Sequence, residues 1–76
     1  MKLIEKNDIY AIYSYGYDED NLDGIIKIYL TDPDNFEVIK ETKDGRVGRL
    51  GTLRAINVLR KAIINNTLED VMGFQS

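Results

Sequence analysis

Asp18, Asp20 and Asp23 place three carboxylates within one short stretch of chain, and these are the groups with which it would do acid–base chemistry. Acyl or phosphoryl transfer needs more. There is no histidine and no cysteine, so neither a Ser–His nor a Cys–His pair can be built. Carboxylates, lysines, tyrosines and hydroxyls remain, and no nucleophile, base and orienting group can be named together among them. The expectation is a protein that is not an enzyme, with Asp18 to Asp23 as a solvated acidic loop.

The same loop invites a calcium reading. With Gly24 set as the glycine of an EF-hand loop, Glu19, Asn21 and Asp23 become the first three ligands. The twelfth position is then Leu30, where a bidentate glutamate is required, and the flanks read as strands. The pattern fails, and without Cys or His a zinc site on those ligands is excluded. No metal and no cofactor is expected.

Gly45, Gly48 and Gly51 recur every three residues ahead of a helix, and backbone N–H groups at such a junction can cradle phosphate. The Walker pattern needs a lysine that Gly51-Thr52 lacks. Gly45-Arg46-Val47-Gly48 and Gly48-Arg49-Leu50-Gly51 have the spacing of a KH-type backbone clamp. That clamp wants an aliphatic residue three places after the second glycine, where this chain has Gly51 or Arg54. Turn and bulge glycines of a hairpin are the simpler account.

Charge is unevenly laid out. Residues 1–37 carry nine acids and three bases, residues 38–68 seven bases and two acids, and the whole chain is −3. Lys43, Arg46, Arg49, Arg54, Arg60 and Lys61 are candidates for a phosphate-binding patch. The overall acidity opposes it, since nucleic-acid-binding domains are usually basic. The expectation is that the acidic loops neutralise the basic end, within the fold or across a dimer. A nucleic-acid interface at Lys43, Arg46, Arg49, Arg54 and Lys61 is the alternative.

Four of the five tyrosines lie between positions 10 and 17. Ile9 to Tyr17 reads as a strand, with Ile9, Ala11, Tyr13, Tyr15 and Tyr17 on one face and Tyr10, Ile12, Ser14 and Gly16 on the other. Tyrosines on both faces cannot all enter one core, and tyrosine is enriched at interfaces. Tyr10, Ile12 and Tyr29 are therefore candidate partner-binding residues. Asp18, Asp20 and Asp23 form a second candidate surface, able to offer carboxylates where a partner expects phosphates.

These residues need elements to hold them. Gly24 to Leu30 alternates as a strand, with Ile26, Ile28 and Leu30 inward, and Thr31 to Asn35 is a turn. Phe36 to Thr42 reads as a strand, although Asp34 would also suit as the cap of a short helix. Asp44-Gly45 then predicts a type I′ turn, with Arg46 to Leu50 returning as a short strand. Thr52 predicts an N-cap and Leu53 to Ile64 a helix. Its apolar arc is Ala55, Ile56, Val58, Leu59, Ala62 and Ile63, opposite Arg54, Asn57, Lys61 and Asn65. Asn65-Asn66 predicts the stop, Thr67 to Asp70 one further helical turn, and Gly73 to Ser76 a frayed end.

A chain of 76 residues predicts one small domain. At this size only about 60% of the unfolded surface is buried, so stability is marginal. With 43% apolar and 30% charged residues it can still form a core, and disorder is not expected. No apolar run approaches a bilayer span of roughly 18 residues, and the first eight residues do not resemble a signal peptide. The absence of cysteine fits the cytoplasm. The resulting expectation is an α+β fold: an antiparallel meander of three or four strands with one amphipathic helix on one face. Its expected role is a non-enzymatic protein-interaction module whose partner is another protein or a second copy, as a homodimer.

Overall fold

A computed structural model describes residues 1–18 and 20–73. Four strands, β1 (Lys2–Lys6), β2 (Tyr10–Tyr15), β3 (Gly24–Tyr29) and β4 (Phe36–Lys40), precede one helix, α1 (Gly48–Ile64). The strands form one antiparallel sheet in the order β1-β2-β3-β4. The fold is α+β, a four-stranded meander with a helix against one face.

Alternation places the core. Ala11, Tyr13 and Tyr15 of β2 and Ile26 and Ile28 of β3 are fully buried, together with Ala55, Ile56, Leu59 and Ala62 of α1. Met1 and Val47 join these residues, Ala62 apart, in one cluster, whereas Ile9 and Tyr17, expected on the same face, lie beyond the ends of β2 and are exposed. β1 was not foreseen. Its sequence, Lys-Leu-Ile-Glu-Lys, sends only Leu3 and Lys6 toward the helix side, and its order comes from pairing with β2 on one edge and with residues 70–72 on the other. Each outer strand carries a one-residue bulge, at Ile4 in β1 and Ile39 in β4. Bulges at sheet margins disturb the ladder and discourage edge-to-edge pairing.

The two buried tyrosines each have a partner for the hydroxyl, as amphipathic rings in a core require. Tyr15 Oη lies 2.9 Å from Thr52 Oγ1, which also lies 3.2 Å from the Gly48 carbonyl. Thr52 has one proton and gives it to that carbonyl, so Tyr15 is the donor to Thr52. The chain Tyr15–Thr52–Gly48 fixes where α1 sits on the sheet. Tyr13 donates to the Glu69 carbonyl. Among the described residues no buried side-chain polar atom lacks a partner.

This arrangement overturns the expected helix start. Thr52 lies inside α1, engaged by Tyr15, and is not its cap. The return strand Arg46 to Leu50 is absent. Asp44 instead accepts from the Arg46 amide through its side chain and from the Val47 amide through its carbonyl. This Asx-type turn delivers the chain directly into the helix. The residue needing the left-handed region is Gly48, at φ +60°, and not Gly45. At the other end Asn66 has φ +56°, and its amide and that of Thr67 bond back to Ile63 and Ala62. That is a Schellman stop.

Beyond it, Thr67 to Asp70 is not helical. Residues 70–72 run along the outer edge of β1: the Leu3 amide donates to Asp70 and the Met72 amide to Met1, around a bridge between Lys2 and Val71. The Tyr13 hydroxyl draws this segment in through Glu69. Of the end expected to fray, residues 74–76 lie outside the described residues.

Burial pushes the Tyr13 phenol from 10.0 up to about 12, reinforced by the nearby charges of Asp70 and Glu69. The unfolded chain therefore loses this proton first. Stability is unaffected by this group below pH 10 and falls as pH rises from about 10 to 12. Thermal melts across that interval should show the loss. Tyr13→Phe should melt lower at neutral pH but decline less steeply; equal slopes would mean that Tyr13 is not the group responsible.

Candidate interaction surface

The sheet face turned away from α1 brings Tyr10, Ile12 and Tyr29 together, as the alternation requires. The cross-strand row Glu5–Ile12–Lys27–Glu37 crosses it, beside the pair Tyr10–Tyr29. Lys27 places its ammonium 4.3 Å from the Tyr10 ring centroid and 5.2 Å from that of Tyr29. The two rings meet edge to face at 6.4 Å, and the Tyr10 hydroxyl donates to Glu5 at 2.9 Å. The three candidates are half-buried. Cation–π and cross-strand contacts already occupy the tyrosines, so this face is largely covered by its own side chains.

The acidic and basic candidates meet each other. Arg46, in the loop before α1, pairs with Asp18 at 2.9 Å and with Asp44. Its guanidinium also lies 4.0 Å from the Tyr17 ring centroid. Asp23 accepts from the Thr42 hydroxyl and from the Lys43 amide. The Arg46 hydrogen bonds hold the Asp44 carboxyl down at about 2, and the Thr42 hydroxyl chiefly lowers that of Asp23. Exposed pairs of this kind contribute little stability. What they do is fasten the β2–β3 loop to the segment leading into α1. Asp20 is exposed, and Glu19 lies outside the described residues.

Arg49, Arg54 and Lys61 are all on α1, and among the described residues they make no ion pair. Arg49 sits in the first turn rather than in a hairpin. Arg54 and Lys61 edge an open groove of about 310 Å³ floored by Val58, Ala62 and Met72. Arg60 pairs with Asp34 at 2.6 Å.

Sequence reasoning missed one group. Leu50 is 72% exposed, Leu53 45% and Ile64 61%. With Asn57 they stand at spacings of three, four and seven, which places them on one side of a helix. That side is opposite the buried arc. Starting the helix at Leu53 left Leu50 in a strand and hid the stripe; the spacing from Leu50 was the available signal.

Among the described residues no group of three or more acidic side chains is placed to hold a metal ion. No helix there is long and apolar enough to cross a membrane. No protein-family model matches the chain, and neither curated proteins nor solved structures include one similar to it.

Proposed function

We propose that the protein is a small, non-enzymatic interaction module that binds another protein through the outward side of α1. One observation carries the reading: Leu50, Leu53 and Ile64 project from one side of a regular helix and are all exposed among the described residues. Scattered surface leucines are ordinary, but an apolar stripe on one side of a helix, rimmed by charge, is the form of a docking surface. The carboxylates are less suited to the task. Asp18 and Asp23 are engaged within the chain, which weakens the alternative of an acidic inhibitor that offers these carboxylates where a partner expects phosphates. If the face bearing Tyr10, Ile12 and Tyr29 contacts a second copy, light scattering would report a mass near twice 8.7 kDa.

Nucleic-acid binding is the second reading, favoured by the unpaired Arg49, Arg54 and Lys61. A phosphate backbone would have no use for the leucines between them. The test is affinity capture from the cells that make the protein, comparing wild type with Leu50→Gln/Leu53→Gln. Both positions are exposed, so the variant should melt like the wild type. The expected result is a defined protein retained by the wild type and lost from the variant. Nucleic acid retained equally by both, and released by salt, would instead support the second reading.

A further inference from the structure

α1 carries four bases, Arg49, Arg54, Arg60 and Lys61, and no acid; the rest of the chain carries six bases and thirteen acids. The bases are not spread evenly round the helix. Arg54 and Lys61 border one side of the Leu50–Leu53–Asn57–Ile64 stripe, and Arg49 and Arg60 border the other. The stripe is narrow and straight, about 21 Å from Leu50 to Ile64 at the rise of an α-helix. A facing helix can follow such a line, inserting its own side chains between these.

Resting on the interaction reading above, we infer that the occupant of this face is an amphipathic α-helix of another protein, apolar along its contact line and acidic on both flanks. Charge decides between this partner and a second copy. Two α1 helices brought together would oppose four bases to four bases with no acid in either. An acidic helix would meet Arg54 and Lys61 on one flank and Arg49 on the other, none of which is engaged elsewhere among the described residues. Asn57 sits in mid-stripe. A polar residue at such a position weakens a helix pair and sets its register, so binding should be tighter without it.

The probe is a synthetic helical peptide of about 20 residues with leucine at a and d and glutamate at e and g, and a matched peptide with lysine at e and g. Binding is followed by fluorescence anisotropy with the full chain. The glutamate peptide should bind, weakening as salt rises, and the lysine peptide should not. Leu50→Gln/Leu53→Gln should reduce affinity at least about tenfold, and Arg54→Glu/Lys61→Glu should reduce it and abolish the salt dependence. Asn57→Leu should tighten binding several-fold, a gain that a folding defect cannot produce. The proposal is overturned if the lysine peptide binds as well, if the leucine replacements leave affinity intact, or if a mixed-sequence oligonucleotide or vesicles of anionic lipid bind more tightly in a Leu50-dependent way. If a cellular protein is captured through Leu50 and Leu53 but the glutamate peptide does not displace it, the interaction reading stands and the acidic helix is wrong. If no such capture occurs, the reading beneath it fails as well.

Discussion

Leu59→Ala is expected to cost about 2–5 kcal/mol, the range for emptying a leucine-sized site in a packed core. Leu59 is fully buried, in one cluster with Ile26 and Ile28 from the sheet and Ala55 and Ile56 from its own helix. Two of its helical core neighbours, Ala55 and Ala62, have no side chain long enough to move into the space. A small domain has only about 5 kcal/mol or somewhat more in hand, so the variant should be largely unfolded near physiological temperature. The control is Leu53→Ala on the exposed side of the same helix, which should shift stability by no more than about 0.5 kcal/mol. Urea titration of both, followed by far-UV circular dichroism, would separate them. Equal midpoints would mean that α1 is docked by a different face.

Gly24→Val should be comparably severe, for the opposite reason. Gly24 faces Tyr15 across the β2–β3 ladder, and a Cβ there would fall within 3.0 Å of three ring carbons. Most aromatic rings could swing aside. Tyr15 is fully buried, with its hydroxyl held by Thr52, so moving the ring also disturbs the seat of the helix. Overpacking usually costs 1–3 kcal/mol, and a locked ring should put this variant at about 3 kcal/mol or above, lowering the melting temperature by roughly 12 °C or more. Gly45→Val should be almost silent, because nothing lies within 4 Å of its Cβ position and its φ is not positive. A melt in which the two variants coincide would show that Tyr15 can relax. Shortening the ring in Tyr15→Leu should return part of the stability lost in Gly24→Val, since the two sites are in contact.

The sheet's centre was legible because β2 and β3 alternate strictly: Ala11, Tyr13, Tyr15, Ile26 and Ile28 go inward and Tyr10, Ile12, Lys27 and Tyr29 outward. Alternation is a local signal and needs no knowledge of the partner strand. β1 could not be read that way, since four of its five residues are exposed and its order comes from neighbours on both edges. The start of α1 was misread because Thr52 looks like a cap wherever its hydroxyl is free; only the fold shows that Tyr15 has taken it. The same error removed Leu50 from the helix and with it the exposed stripe. The meeting of acid and base was anticipated in outline, but the choice of Arg46 and Asp18 depends on how two loops converge. Asp44-Gly45 was recognised as a turn and given the wrong type, because the Asp44 side chain bonds the following backbone and does not close a hairpin.

The clasp between residues 1–3 and residues 70–72 closes one long loop through the fold. The Met1 ammonium donates to the Met72 carbonyl at 2.5 Å, so residues 1 to 72 form a loop closed by noncovalent bonds. Closing a loop of this length costs the unfolded chain about 4 kcal/mol of configurational freedom. The clasp must recover that from a few backbone hydrogen bonds and from Leu68 and Met72 packed on the core. Joining Gly73 to Met1 through a short peptide would remove most of this entropic burden without altering a strand. A new opening cut in the exposed turn at Asp32 to Asn35 would then give a permuted chain with the same sheet order in space and a different order in time.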